Sequence, residues 1–178
     1  MKKAKLRILS TKILSRDTLD KASVNDIEIE EIPFITTEPI KDESLKTKLK
    51  GFLQQNINAV FTSRNAVAAF DQIVNVELPW KIFCIGQSTR KAVVKLFGED
   101  KIAGTADNAA ALADIILQEG EIKKVHFFCG KQRREELPEK LTAAGVELEE
   151  IVCTTPGKQH KKFQGSIMMG YCFLALVR

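Results

Sequence analysis

Residues 59–70 read Ala-Val-Phe-Thr-Ser-Arg-Asn-Ala-Val-Ala-Ala-Phe, the pattern of a strand that passes directly into a helix. The apolar run from Ile57 to Phe61 suits a buried strand, and the two hydroxyl residues after it, Thr62 and Ser63, cap helices well. Unpaired amides and the helix dipole at such a helix start attract anions. The same pattern also fits an ordinary capped turn without a ligand, so this segment alone predicts local structure and leaves anion binding open.

Two later segments repeat this arrangement. Residues 81–85 are an apolar run that leads into Gly86-Gln-Ser-Thr, and residues 124–129 are a second run that leads into Gly130-Lys-Gln-Arg. Strands that alternate with helices build a parallel sheet covered by helices on both faces. The sequence therefore predicts an α/β, flavodoxin-like fold. Its strand-end loops should meet at the carboxyl edge of the sheet, where open α/β sheets bind their ligands.

Two proline-bounded breaks divide the chain. The loosely alternating residues Ile27–Ile32 predict a strand, and the segment Pro33–Pro39 that follows can run extended but cannot supply a central strand at either proline. Pro156-Gly157 forms a second break after the last predicted strand, 146–152. Both breaks suit connectors between two bodies, so the sequence predicts two domains, the second inserted in the first.

The predicted first domain is incomplete. Residues 163–178 offer an apolar run with no capped helix after it. Together with the early strand Ala4–Leu9 and its polar neighbour, this tail has too little apolar surface for a stable core of its own. The predicted boundaries are an incomplete first domain at 1–33 and 154–178, a complete inserted domain at 34–153, and connectors near 33–39 and 153–157.

The composition fits one domain or two small ones and excludes several classes of function. The chain has 178 residues, of which 44% are hydrophobic, and a net charge of +4, which is too mild to indicate a nucleic-acid partner. Its four cysteines form no CxxC pair, and its two histidines lie at no ligand spacing from them, so we expect no metal site. The apolar surroundings of the cysteines suit a reducing, cytoplasmic environment. No apolar run reaches the roughly 20 residues of a membrane helix, so we expect no membrane partner.

The polar residues that follow the strands form the candidate site. The sequence contains no phosphate-loop, HExxH or GxSxG motif. Its turns instead supply hydroxyls, amides and cations, which hold carboxylates by hydrogen bonds and charge. This set predicts a small polyanionic ligand. The candidate ligand-binding residues are Thr62, Ser63, Asn65, Gly86, Gln87, Ser88, Thr89, Asn108, Gly130, Lys131 and Arg134, with Arg133 beside them.

Two other patterns have plain structural interpretations. Cys129 lies beside these cations, which could lower the pKa of its thiol, but its place in the apolar run 125–129 favours a buried structural residue. The carboxylates of 28–31 and 147–150 alternate along strands and suit solvated faces rather than paired acids.

At these residues the chain resembles the uroporphyrinogen-III synthase family. The similarity runs, in order and with matching spacing, through residues 59–67, Cys-Ile-Gly-Gln-Ser-Thr-Arg-Lys-Ala-Val at 84–93, Asn-Ala-Ala-Ala-Leu at 108–112 and Gly-Lys-Gln-Arg-Arg-Glu-Glu-Leu at 130–137. It covers about residues 4–156. The resemblance implies two α/β domains joined by two extended connectors, with the second domain inserted in the first, in agreement with the two breaks.

The resemblance also implies a reaction. The family's small-molecule substrate, hydroxymethylbilane, loses its hydroxyl, its ring D is inverted, and the macrocycle closes to uroporphyrinogen III, a step of heme biosynthesis that uses no metal or cofactor. The substrate carries several acetates and propionates, which suits the candidate residues. By position, Ser63, Asn65 and Thr89, with the amides after Gly86 and Gly130, match family positions that face the cleft. We expect a monomer, with pairing through the incomplete domain as the alternative.

Two departures from the family pattern open a second hypothesis. Cys153 stands where many members have a tyrosine that is a suggested proton donor, so no catalytic residue is assigned. Residues 166–178 lack the family's second Thr-Ser-type loop, which predicts a truncated or out-of-frame tail. A non-catalytic tetrapyrrole-binding domain of the same family therefore competes with the synthase. A response-regulator-like signalling domain would need an acidic phosphoacceptor cluster at the strand ends, and the candidate residues include none.

Overall fold

The computed structural model describes residues 6–11, 13–33, 36–71, 78–157 and 172–174. The chain divides into two compact units, one formed by residues 1–36 and 157–178 and the other by residues 37–156. In chain order the elements are β1 (Leu6–Ser10), α1 (Arg16–Val24), β2 (Ile27–Glu31), β3 (Thr37–Pro39), α2 (Glu43–Phe52), β4 (Asn58–Phe61), α3 (Arg64–Ala68), β5 (Lys81–Ile85), α4 (Gly86–Phe97), a 3-10 turn (Glu99–Lys101), β6 (Ile102–Ala106), α5 (Ala109–Gln118), β7 (Lys124–Gly130), α6 (Glu136–Ala143), β8 (Glu147–Pro156) and β9 (Cys172–Leu174).

The larger unit is built on one six-stranded sheet in the order β3-β8-β7-β4-β5-β6. Strands β4 to β8 pair in parallel, whereas the short edge strand β3 runs antiparallel to β8. The first parallel strand, β4, lies in the middle, and the chain winds outward through β5 and β6 before it returns to β7 and β8. This confirms the predicted α/β fold with a mostly parallel sheet.

Helices cover both faces of this sheet. Successive side chains along each strand point to opposite faces, so they enter two separate cores. On β4, Ala59 and Phe61 point to a first core that α2, α3 and α4 share, while Val60 points to a second core beneath α5 and α6. Aromatic rings fill the first core: Phe128 stacks on Phe61 and meets Phe70 edge-on, each at 5.0 Å between ring centroids. Such pairs add to the stabilisation from apolar burial, which makes the sheet a rigid support for its edge loops.

The smaller unit contains a three-stranded parallel sheet in the order β2-β1-β9. Its helix α1 begins at Ser15, whose hydroxyl oxygen accepts a hydrogen bond from the Thr18 amide, and Leu9 is almost fully buried. Of the predicted tail, only β9 lies among the described residues, so the hypothesis of a truncated tail falls mostly outside them. The proposal that this unit is an incomplete first domain stays a prediction.

The boundary between the units falls at residues 36–37 and 156–157, positions that lie within the two predicted connectors. The amide of Gly157 donates a hydrogen bond to the carbonyl of Thr36 at 2.8 Å. Among the described residues, no helix is long and apolar enough to cross a bilayer.

Candidate functional site

Strand register brings three of the predicted turns to the same level of the sheet. Phe61 on β4 pairs with Cys84 on β5 and with Phe128 on β7. Ser63, Gly86 and Gly130 each lie two residues beyond these partners. Because neighbouring strands are about 4.8 Å apart, the outer two turns are roughly 10 Å from each other. The turns after β4 and β7 also flank the point where the winding direction of the sheet reverses, the usual ligand position in such folds. We call these strand-end residues the carboxyl rim.

The turn after β4 holds a short capped helix. The Ser63 hydroxyl oxygen accepts a hydrogen bond from the Asn65 amide at 3.2 Å, so Ser63 caps α3 as the sequence predicts. Thr62 and Asn65 are partly exposed, and no side-chain hydrogen bond joins either to another described residue. The turn therefore presents polar groups to solvent, and only Ser63 is committed to the helix.

The turn after β5 starts α4 without a side-chain cap. Gly86 opens this helix at φ +73°, a conformation that glycine adopts freely. The first-turn amides of α4 have no acceptor within the helix, and Gln87 and Ser88 are exposed beside them. Thr89, in contrast, is buried, with 3% of its surface exposed. This turn thus offers mainly backbone donors and the side chains of its first two polar residues.

The turn after β7 is held against β8. The Lys131 amide donates to the Thr154 carbonyl at 2.8 Å, and a Cβ added at Gly130 would lie 3.0 Å from the Thr154 hydroxyl oxygen. Lys131 and Arg134 are exposed, and neither is ion-paired within the described parts of the chain. Both cations therefore remain available to an anionic ligand.

Arg133 differs from its two cationic neighbours. Its Nε donates to the Glu150 carboxylate at 2.8 Å, and its two terminal nitrogens bind Glu150 and Glu135. Hydrogen bonds from Arg133 to these carboxylates raise the pKa of the guanidinium further above its usual range. Unlike Lys131 and Arg134, Arg133 therefore has its charge paired within the described part of the chain.

Asn108 lies at the same rim but farther from its centre. Ala106 on β6 pairs with Ile85 on β5, so the turn after β6 is one strand beyond Gly86. The Asn108 side-chain oxygen caps α5 by accepting from the Ala111 amide at 2.9 Å. The structure thus places Asn108 on the predicted edge but about three strand spacings, some 14 Å, from the β7 turn.

Three rim residues were missed by the sequence prediction. Thr154 is buried beside Gly130, and the pair of threonines directly after the apolar residues 151–153 could have pointed to it. Arg64 is exposed in the first turn of α3 and adds a cation to the rim. Asp107 is exposed next to Asn108 and adds a carboxylate. Exposed cations therefore lie on the rim near β4 and β7, and an exposed carboxylate lies at its β6 end.

The buried thiols of Cys129 and Cys153 stay protonated near neutral pH. Burial raises the pKa of the Cys129 thiol to about 11 in spite of Arg133 nearby, which agrees with a structural role. Burial raises the pKa of the Cys153 thiol to about 12, and its sulfur lies 3.4 Å from the Ile151 carbonyl in the first core. Cys153 is therefore a buried residue of the first core. No cluster of metal-ligating side chains occurs among the residues that the structure describes.

Comparison with known proteins agrees with the earlier resemblance. The sequence profile described as Uroporphyrinogen-III synthase HemD matches residues 17–162. Among solved structures, a mutant uroporphyrinogen III synthase from the extremely thermophilic bacterium Thermus thermophilus superposes with a TM-score of 0.57 at 10% identity, covering 85% of this chain and 62% of its own. The wild-type enzyme from the same organism gives 0.50 at 11% identity with the same coverage.

These comparisons differ in what they show. At such low identity the solved structures establish a shared fold, and this chain spans less than two thirds of their length. Sequence comparison finds no match among curated proteins. The profile, however, matches well over half of the sequence. The chain therefore belongs to the uroporphyrinogen-III synthase family.

Proposed function

We propose that this chain converts hydroxymethylbilane to uroporphyrinogen III, and that the carboxyl rim of the larger unit binds the carboxylates of the substrate. One observation carries this proposal: strand register places Ser63, Gly86 and Gly130 at the same level, beyond three adjacent strands. The chain that presents these residues belongs to the family. Hydroxyls, free amides and unpaired cations surround these positions. Such groups suit an acid-rich molecule that spans about 10 Å or more.

The proposed role of the rim is to hold and orient the substrate. Lys131, Arg134 and Arg64 attract acetates and propionates, while the first-turn amides of α4 donate hydrogen bonds to one carboxylate at the helix start. Once hydroxide leaves the bilane, ring D attacks the resulting cation through its substituted carbon. The bond from that carbon to the methylene bridge of ring C then breaks and re-forms at the free α-carbon of ring D, and the proton lost there combines with the hydroxide to give water. A rim that fixes both ends of the bilane selects the carbon of ring D that attacks, which is catalysis by proximity.

We assign no acid catalysis to the predicted residues. The set contains hydroxyls, amides and cations, and the thiols of Cys129 and Cys153 are buried in the two cores. The proposed rate advantage therefore rests on orientation rather than on proton transfer.

The isomer produced from hydroxymethylbilane tests the proposed activity. The bilane, generated in the assay because it closes spontaneously, is incubated with the protein, and the products are oxidised and separated by chromatography. The type III isomer in excess over the protein-free control supports the proposal. Formation of the type I isomer alone, at the protein-free rate, contradicts it.

A non-catalytic tetrapyrrole-binding domain is the second candidate. One observation favours it: Cys153, which stands where many family members have a tyrosine, is a buried residue of the first core. This candidate predicts binding of a nonreactive bilane analogue by titration, with no type III product in the assay above. Binding together with turnover would rule it out in favour of the synthase.

A further inference from the structure

The loop between β7 and α6, residues 131–135, is fixed to β8 at two places. At its start, the Lys131 amide donates to the Thr154 carbonyl at 2.8 Å. Farther on, the Arg133 guanidinium binds the Glu150 carboxylate with two of its nitrogens, and a third nitrogen binds Glu135. The loop has no helix or strand of its own, so these contacts are what define its path.

The ion pair between Arg133 and Glu150 is suited to holding the loop in place, unlike an exposed surface ion pair. Only 20% of the Arg133 side chain and 32% of the Glu150 side chain are exposed. A bidentate arginine–carboxylate pair fixes direction as well as distance, because the guanidinium is planar. Partial burial also shields the pair from screening by salt. Arg133 therefore restrains the backbone between its two exposed neighbours, Lys131 and Arg134.

We propose that Arg133 is a positioning residue, which does not bind the ligand but orders the loop so that Lys131 and Arg134 face it. This inference rests on the proposed function of the rim. Without the pair, ligand binding would have to order a five-residue loop, which costs conformational entropy and lowers affinity. The competing possibility is that Arg133 leaves Glu150 and binds a ligand carboxylate itself.

The variant Glu150→Gln distinguishes these two possibilities by the sign of its effect. If Arg133 binds the ligand directly, removal of the competing carboxylate frees it, and an anionic ligand binds more tightly. If Arg133 positions the loop, the same variant loosens the loop, and the ligand binds more weakly in spite of the lost negative charge. The conservative variant Arg133→Lys keeps the cation but loses the planar pair, so positioning predicts weaker binding there as well.

The control is Glu147→Gln, which removes the same charge from the same strand. Glu147 lies at the start of β8, is exposed, and pairs with the Lys124 amine at 2.8 Å. It has no contact with the loop among the described residues, so neither hypothesis predicts weaker binding in this variant.

The probe is uroporphyrin III, the stable oxidised form of the proposed product, titrated by its fluorescence against the full chain. We expect Arg133→Lys and Glu150→Gln to raise its Kd about tenfold through the cost of ordering the loop, with Glu147→Gln unchanged or slightly tighter. Hydrogen exchange of the amides of residues 131–134 should become roughly tenfold faster in the first two variants alone. Tighter or unchanged binding in Glu150→Gln, or unchanged loop exchange, would overturn the inference.

The two readouts separate this inference from the proposed function. Hydrogen exchange needs no ligand, so it reports directly whether Arg133 holds the loop. A wild-type protein that binds no uroporphyrin would count against the proposed function, and faster loop exchange in both variants would still support the structural role of Arg133. Unchanged binding in the wild type and in both variants would leave the proposed function standing and would show that Arg133 does not contribute to ligand binding.

Discussion

Gly86 is the residue at which backbone conformation and the proposed site coincide. Its φ of +73° lies in the left-handed region, where a Cβ costs about 1–2 kcal/mol, so Gly86→Ala should lower the free energy of unfolding by that amount. Gly51 is the matched control, because it lies in α2 without a positive φ and an added Cβ meets nothing within 4 Å. Gly51→Ala should stabilise the protein by about 0.5–1 kcal/mol. Urea unfolding of both variants checks the opposite signs; equal shifts would refute this interpretation of Gly86.

His126 should give the protein a pH-dependent stability. Burial lowers the pKa of its imidazole, with the Glu149 carboxylate opposing and Lys124 and Lys48 reinforcing this shift, while the Glu147 carboxylate also opposes it. The folded state therefore binds this proton less readily than the unfolded state. The contribution to stability is fully present above the unfolded pKa of about 6.5 and is lost as the pH falls below it.

The variant His126→Asn isolates this contribution. We expect the urea midpoint of the wild type to fall more between pH 7.5 and pH 5.5 than that of the variant. His160 is present in both proteins and cancels in the difference. Glu149, whose pKa is lowered mainly by its hydrogen bond with Lys48, loses its contribution at more acidic pH, so the two effects occupy separate windows. Parallel pH curves for the two proteins would show that His126 is not the group responsible.

Asp107 should oppose ligand binding at the β6 end of the rim. It is an exposed carboxylate next to Asn108, and the proposed ligand carries carboxylates of its own. Asp107→Asn should lower the Kd for uroporphyrin III by roughly twofold, the size of an exposed charge effect, and added salt should reduce the difference. Asp71→Asn is the control, because Asp71 is exposed beyond the end of α3, which points away from the rim. An equal change of Kd in both variants would indicate that the net charge of the protein, rather than the location of Asp107, is responsible.

The rim residues also show what a single sequence can and cannot predict at this scale. The strand-end turns could be located, because hydroxyls and glycines directly follow apolar runs. The pairing of Arg133 could not, because Glu150 is 17 residues away and meets it only through the register of β7 and β8. The burial of Thr154 depends on the same register. The sequence pattern identifies which groups lie at the carboxyl edge of the sheet, whereas tertiary contacts decide which of these groups remain unpaired.

At the level of the secondary-structure elements, two variants of Ser63 at the start of α3 can separate its role as a helix cap from its proposed role in ligand binding. Ser63→Ala removes the oxygen that accepts from the Asn65 amide, so it should cost about 1 kcal/mol of stability and also remove a hydroxyl from the rim. Ser63→Asp keeps an acceptor at the cap but places a negative charge at the rim. We expect Ser63→Asp to retain near wild-type stability while uroporphyrin III binds on the order of tenfold more weakly. Unfolding and titration of both variants test this, and wild-type affinity in Ser63→Asp would place Ser63 outside the binding site.

Elements with strong local signals were predicted well, and those made by pairing were not. Strands β5 and β7 agree with the apolar runs 81–85 and 124–129 to within one residue. Strand β8 continues to Pro156, although its apolar pattern ends at Val152, because β3 pairs with its last residues in the antiparallel direction. Pro39 and Pro156 are tolerated there, since they lie at the ends of edge pairing where a missing amide is harmless. Such pairing between distant segments leaves no local trace in a sequence.

For the whole molecule, the position of the proposed site leads to a prediction about its larger unit. All eleven candidate residues lie within residues 37–156, and both cores of the six-stranded sheet are formed by that range alone. A fragment of residues 37–156 should therefore unfold cooperatively in urea and bind uroporphyrin III with a Kd within about threefold of the full chain, since a unit with its own core can fold by itself. The full chain measured in parallel is the control. A folded fragment whose affinity is far weaker would show that the smaller unit supplies part of the binding energy, and the rim of the larger unit would then be only half of the site.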